Sequence, residues 1–578
     1  MSALAAQFGP ALLVAALAAP LIVLVLFLMA ALRGLASAIT PLAATPALAA
    51  AALAIASGPF GAEWPALRVS LWLDQPGGLL LLTAALVWLI VSIVAFREPP
   101  VGAIADRGGV VQKASGRTPL DRRATDRVSK IGQGRPNAGR FAISWLLTMA
   151  GSLGVFIAAD LLTFYFVYAL VSIPAYYLVA HDEDASSRRA GAVYLAFALL
   201  GEAVLLIAFV MLAAGEPSGS VQIRDVVAAL PTSPWRDAAL ALIIIGFGMK
   251  IALVPLHGWM PLAYSAAPIS AAAVLSGAAV KAGVIGLIRF LPLSAAFPGW
   301  GEALAWTGFI SAFYGVAIGV TQRNPKTMLA YSSVSQMGVI AAALGMGLAS
   351  GDKGAGTDVA FYAANHVLVK AALFLTVGSL AALDGLARTC ALIVAALLGL
   401  SLAGLPLSGG SLAKLAVKDL FGNGAAGVAS QLSAAGSTAL MLIFVMHLAR
   451  FPRDERPASS GRLGSWAALA AAALLLPWLI LACIGNPAKA LEPAKLLDAI
   501  WPMLVGAALA VGLWAAGERV PRIRAGDIMV AEEAAFRALL RLGAGFERAD
   551  RALRGWPAAG LALLVVALAL AATGYASR

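Results

Sequence analysis

The chain has 578 residues, 61% of them hydrophobic and 12% charged, with a formal net charge of +12 at pH 7. So little polar composition excludes a soluble globular protein of this length, because most side chains need lipid as their solvent. Nor does the basic excess indicate nucleic acid: Lys and Arg collect in short loops between apolar runs, as at Arg122, Arg123, Arg127 and Lys130 and again at Arg519, Arg522 and Arg524, the placement that membrane topology requires.

Apolar runs long enough to span a bilayer lie near residues 10–32, 38–57, 78–96, 141–158, 160–180, 189–213, 236–256, 268–290, 302–320, 327–347, 358–382, 390–406, 430–450, 464–484, 496–516 and 557–575. The pattern predicts an all-α polytopic membrane helix bundle of about sixteen transmembrane helices. Arg33 is the first basic residue and follows the first run, so that helix is expected to be retained. Residues 1–96 hold helices 1–3, and 97–140 form a basic, glycine-rich cytoplasmic loop without helical or strand period. Two repeats follow at 141–290 and 291–450, with C-terminal helices over 451–578. Within the last stretch, 528–554 sets Ala535, Phe536, Leu539, Leu540 and Leu542 among Arg537, Arg541, Arg548 and Arg551. That spacing predicts an amphipathic surface helix, serving either as an anchor or as a clamp on a partner subunit.

Loops after odd-numbered helices carry Arg33, the 97–140 stretch, Arg188 and Arg189, Arg323 and Lys326, Arg388, Arg450 to Arg462 and the 517–554 segment. The positive-inside rule makes these cytoplasmic and places both termini on the periplasmic side of a bacterial inner membrane. Cys390 and Cys483 lack any metal-ligand or redox spacing and read as inert packing residues.

A charged side chain in mid-span costs about 2.5–3.5 kcal/mol on insertion scales, so Glu202, Lys250, Lys281, His366, Lys370, Lys414 and Lys418 are the candidates for function. Lys414 and Lys418 alternatively lie near a helix end and snorkel. The run from Gly248 to Pro261 contains Lys250, Pro255, His257 and Pro261, and its prolines predict a broken helix with freed carbonyls, tolerable only inside protein or along a wet cavity. Leu402-Ala403-Gly404-Leu405-Pro406-Leu407-Ser408-Gly409-Gly410, followed by Lys414 and Lys418, repeats the pattern. Broken helices in corresponding halves predict two inverted five-helix repeats with sites near the midplane. His257 either belongs to the ion path or caps freed carbonyls, and Tyr331 to Ser335 either line a channel or pack helices. Asp160 and Asp384, at span ends, are expected at the interface.

On these residues a family resemblance becomes specific. Lys250, Pro255-Leu256-His257, Trp259, Pro261, Ala267-Pro268, Ser276-Gly277, Lys281-Ala282-Gly283 and Arg289 resemble the signature of antiporter-like proton-translocating subunits. These occur in respiratory complex I, membrane-bound hydrogenases and Mrp-type antiporters. The resemblance continues through Asn324-Pro325-Lys326 to Gln336-Met337-Gly338, then Asn365-His366, Lys370 and residues 402–418, and its closest flavour is the D component of Mrp-type antiporters or the B component of hydrogenase-4. It implies a fourteen-helix core plus extra C-terminal helices and a hydrophilic midplane axis. In that family a seventh-helix lysine pairs with a fifth-helix glutamate, an eighth-helix lysine passes the proton on, and a charge on the twelfth ends the channel. The matching positions are Lys250, Lys281 and either Lys414 or Lys418, with His366 on the connecting path. The fifth-helix glutamate is replaced by Ala169 in Phe166-Val167-Tyr168-Ala169-Leu170.

Glu202, on the sixth span, is expected to take over as partner of Lys250, since a nearby lysine lets a buried carboxyl ionise. No flavin, iron–sulfur or nucleotide motif occurs, so any redox cofactor is expected on other subunits of a multisubunit complex. The sequence leaves three readings open: a proton-pumping subunit of a complex I-like or hydrogenase-type complex, an Mrp-type sodium/proton antiporter subunit, and an energy-coupling subunit of an inorganic-carbon uptake complex.

Overall fold

The computed structural model describes residues 2–64, 69–97, 138–452, 460–553, 560–561, 563–568 and 570. It divides into Met1–Ala525, which holds the membrane bundle, and Gly526–Arg578. Among the described residues twelve helices are long and apolar enough to cross a membrane. The expected polytopic helical bundle is therefore present. The loop expected over 97–140 and most of the sixteenth expected span lie outside the described residues.

The bundle opens with α1 (Ser2–Leu28), then Ala30–Ser57, which is built from α2 (Arg33–Ile39), α3 (Thr45–Ser57) and intervening 3-10 turns. A short antiparallel hairpin, β1 (Phe60–Trp64) and β2 (Val69–Leu73), pairs Phe60 with Leu73 and Trp64 with Val69. There follow α4 (Gln75–Arg97), α5 (Ala138–Gly154), α6 (Leu161–Ser172), α7 (Ala175–Val179), α8 (Ala185–Ala214) and the short α9 (Ile223–Ala229). The alternation of apolar and polar residues in the hairpin is too short to stand out from a loop. It is fixed to the bundle by two buried charges.

Asp160 is 2% exposed and accepts from Ser70 N at 2.9 Å, Thr163 N at 2.8 Å and Thr163 Oγ1 at 2.7 Å, so it caps α6 and holds β2 at once. Arg289 donates to the carbonyls of Ala158 and Phe156 and lies 3.4 Å from Asp74. Asp384 is exposed at the start of its helix. Cys390 and Cys483 are both exposed, which corrects their reading as packing residues.

Four long elements are interrupted. α10 (Arg236–Lys250) stops before Pro255, because Ala252 takes a left-handed φ of 58°, and α11 (Trp259–Ala266) resumes the path. Pro261 sits in the first turn of α11, where no donor is needed, so it does not break the helix as expected. α12 (Ile269–Val274) runs through a π-helical turn, Leu275–Ala279, into α13 (Lys281–Phe290). α17 (Gly385–Ala403) ends on Gly404 at φ 103° and α18 (Gly409–Phe421) restarts after Pro406. α6 gives way to α7 at Pro174.

Between these lie α14 (Pro298–Gly319), α15 (Pro325–Ser350) and α16 (Ala355–Leu380), of which α15 and α16 are almost wholly buried. A Cβ on Gly301, Gly308 or Gly315 would meet the backbone of α15 at 2.4, 2.5 and 2.6 Å, so these glycines let the two helices touch main chain to main chain. Backbone atoms of Tyr331 and Ser335 face Gly315, so the main chain of that stretch takes part in helix packing. α19 (Ala425–Ala449), α20 (Ser460–Ile484) and α21 (Pro493–Ala516) complete the first unit. In the second, α22 (Met529–Leu553) coincides with the expected amphipathic helix, and its Leu540, Leu542 and Phe546 are exposed.

Candidate functional site

The breaks put polar groups inside the bundle. At the end of α10 the carbonyl of Met249 is taken by the indole Nε1 of Trp259 at 2.9 Å, and Val254 N donates to Ser311 Oγ at 2.9 Å. The tryptophan thus does the capping that His257 was one candidate for. His257 is fully buried, with its ring 4.7 Å from that of Tyr314 and 6.3 Å from that of Tyr331.

Lys250 is the last residue of α10 and 7% exposed. Its Nζ donates to Ser172 Oγ at 2.7 Å and lies 5.4 Å and 5.8 Å from the ring centres of Tyr168 and Tyr194. Two aromatic faces and a hydroxyl hold the ammonium where Ala169 leaves no carboxylate. A desolvated cation–π contact contributes about 2 kcal/mol, so the cage offsets part of the missing ion pair. Glu202 on α8 is 4% exposed, and its Oε1 has no hydrogen-bond partner. Lys250 and the Ser172 hydroxyl are the groups that act on this carboxyl, but the Lys250 hydrogen bond goes to the serine. Glu202 and Lys250 are thus near one another with Ser172 between them.

The next station is reached through packing of α10 on α13: a Cβ on Gly283 would lie 3.0 Å from Lys250 Cβ. Two residues earlier stands Lys281, fully buried, with Nζ 2.7 Å from His366 Nδ1 and 3.4 Å from the Ser276 carbonyl. The π turn re-aims that carbonyl out of the helical ladder, a geometry often found at functional positions. One turn along α16, Lys370 is also fully buried and donates to Leu329 O at 2.8 Å. Lys281 and Lys370 both act electrostatically on His366, whose Nε2 is buried without a partner.

Beyond this cluster, α16 meets α18, where a Cβ on Gly409 would come within 2.5 Å of Asn365 Oδ1. Lys414 donates to Ala403 O, a carbonyl freed by the break at Gly404. Lys418 pairs instead with Asp498 Oδ2 on α21 at 2.6 Å, with side-chain exposures of 33% and 53%. The structure therefore joins Lys250 to Glu202 through Ser172, and Lys281 to His366 directly, while His257 sits apart against α14 and α15. Ser172, Tyr168, Tyr194, Ser276 and Asp498 were not found by looking for charges in spans. Ser276 did stand in the quoted signature, and Ser172 lies one turn from the Ala169 position on α6.

A polytopic bundle that combines broken helices with buried lysines, a histidine and a glutamate inside its spans has the architecture of an antiporter-like membrane subunit. Residues 158–442 match the family described as NADH:quinone oxidoreductase/Mrp antiporter, transmembrane. Over 265 residues the chain is 31% identical to hydrogenase-4 component B of Escherichia coli strain K12, covering 43% of this chain and 38% of that protein. It is 31% identical over 360 residues to NADH-quinone oxidoreductase subunit N of Desulforudis audaxviator, covering 60% and 65% respectively. The chain thus spans less than two thirds of the length of these curated relatives. The fold is shared with a chain of the membrane-bound sulfane sulfur reductase, an archaeal respiratory membrane complex, at a TM-score of 0.66 and 20% identity over 96% of this chain and 99% of that one.

Proposed function

We propose that this chain translocates protons as a membrane subunit of a complex I-like or hydrogenase-type respiratory complex. The observation that carries the reading is the 2.7 Å contact between Lys281 and His366, both wholly buried. Two bases at that distance share one hydrogen, because a protonated lysine and a doubly protonated histidine would face each other with donors only. The pair is therefore suited to hand a proton from one nitrogen to the other.

Glu202, Lys250 and Lys370 extend the line on either side, Lys414 and Lys418 end it, and His257 borders it. Moving one charge through the membrane potential involves about 2.3 kcal/mol per 100 mV, so the driving reaction comes from elsewhere. In this reading flavin or iron–sulfur cofactors reside on partner subunits. The chain lies in a bacterial inner membrane with both termini periplasmic, as the loop arginines favour.

The matched family also takes in Mrp antiporters, which supports sodium/proton exchange as the second reading. Purifying the intact complex and reconstituting it in vesicles tests both. Redox subunits and proton uptake driven by electron transfer support the first reading. Small membrane subunits alone, with sodium-dependent proton release, support the second. A co-purifying zinc enzyme would replace both with coupling to carbon uptake.

A further inference from the structure

The Lys250 ammonium, the Ser172 hydroxyl and the Glu202 carboxyl come from three helices, α10, α6 and α8, and all three are buried. Ser172 Oγ accepts from Lys250 Nζ at 2.7 Å and donates to Tyr168 O at 3.1 Å. Its one hydrogen can serve either that backbone carbonyl or the Glu202 carboxyl, on which the same hydroxyl acts, while Glu202 Oε1 has no hydrogen-bond partner. A small cavity beside Lys250 and Ser172, lined also by Tyr168, Tyr194, Gly201 and Trp259, has a volume of about 10 Å³, room for about one water.

We propose that Ser172 is the switchable proton link between Lys250 and Glu202, its hydroxyl hydrogen turning between the Tyr168 carbonyl and the Glu202 carboxylate. The proposal rests on the proton-translocation reading above. With the hydrogen on Tyr168 O the link is open-circuit, since Ser172 can accept from Lys250 but has nothing to give to Glu202. A hydroxyl rotates to suit its partners, so a small change in the α6–α8 contact suffices to turn it.

Once turned, the step balances. An N–H bond of Lys250 breaks as a new O–H forms on Ser172, and the original Ser172 O–H breaks as an O–H forms on Glu202. The ammonium and carboxylate become an amine and an acid, the serine is regenerated, and no oxidant or further reactant is needed. A sixth-span glutamate thereby serves a seventh-span lysine without touching it. That arrangement accounts for the tolerance of alanine at position 169.

The test uses the assembled complex in vesicles, with copurification reporting assembly. Ser172→Ala should lower proton flux by about a hundredfold, the low end of what a positioned proton-transfer group contributes. Adding Ala169→Glu to Ser172→Ala should restore flux, because a carboxylate one turn away on the same helix face pairs with Lys250 directly. Undiminished flux in Ser172→Ala overturns the link, as does an assembled single variant whose loss Ala169→Glu fails to repair. Where Ser172→Ala does not assemble, Ser172→Cys replaces it: the thiol keeps the space but donates weakly, so loss is expected and normal flux is the overturning result. Lys281→Ala separates the two levels. Normal flux there removes the translocation reading itself, whereas its loss alongside normal flux in Ser172→Ala removes only the serine link.

Discussion

Lys281 Nζ lies 2.7 Å from His366 Nδ1 at the end of a π turn, and neither side chain has exposed surface. Removing the amine leaves His366 facing Lys370 alone among the cations that act on it. Lys281→Ala should therefore leave insertion intact, since deleting a buried charge relieves rather than adds desolvation cost. Ion-coupled activity should fall by at least about tenfold, equivalent to about 1.4 kcal/mol of barrier. Vesicle proton uptake by the assembled complex, with membrane quantity of the variant measured alongside, decides it. Normal uptake would remove Lys281 from the path.

The α14–α15 contact gives a stability prediction independent of transport. A Cβ on Gly308 would meet Ala342 N and Gly338 O at 2.5 Å, both of them backbone atoms that cannot swing aside. Gly308→Ala should cost about 1–3 kcal/mol by overpacking, against a gain of about 0.5–1 kcal/mol in helix propensity. Gly299→Ala, in the first turn of the same helix with open space around it, keeps the propensity gain and loses nothing. Thermal unfolding in detergent should separate the two variants. Equal melting temperatures would refute the main-chain contact.

Deep lysines were legible in the sequence because a charge in an apolar run has few structural excuses, and Pro255 and Pro406 marked the breaks because proline withholds a donor. Most spans were legible from length and apolarity alone, the second of them being α2 and α3 joined by a 3-10 turn. What did not show was any feature that depends on which residues meet. Ser172 is an ordinary small residue until Lys250 is seen against it, and Gly301, Gly308 and Gly315 acquire meaning only from the backbone opposite. That Asp160 holds a hairpin did not show either, because the hairpin has too few residues to announce itself.

Topology is testable by labelling. Cysteines at Ser115 and at the turn after α15 should fall on opposite sides, cytoplasmic and periplasmic, if the loop arginines set orientation. Gly351 is a poor site for the second, since it has φ 72° and its Cβ would approach Ala296 N at 3.0 Å. Lys353, exposed two residues on, avoids that strain. An impermeant thiol reagent applied to intact spheroplasts should modify Lys353→Cys and spare Ser115→Cys. Labelling of both from one side would overturn the assigned orientation.

The last prediction separates the two lysines of α18. Lys414 reaches back to Ala403 O at the break, where the carbonyl is freed by the turn at Gly404. Lys418, one turn further, is held by Asp498 in a pair whose members are 33% and 53% exposed. A solvated pair of this kind contributes about 0–1 kcal/mol, so Asp498→Asn should barely alter stability. Its effect, if Lys418 ends the path, lies in transport: without the carboxylate the terminal lysine loses its fixed partner, and steady-state proton uptake should fall severalfold. Lys414→Ala, by contrast, removes the side chain that satisfies the carbonyl at the break. It should cost about 1–3 kcal/mol for the unsatisfied group as well as flux. Measuring unfolding and proton uptake on Lys414→Ala, Lys418→Ala and Asp498→Asn resolves the roles. If Lys418→Ala and Asp498→Asn both leave transport unchanged while Lys414→Ala reduces it, Lys414 is the terminal charge and the Lys418–Asp498 pair only fastens α21 to α18.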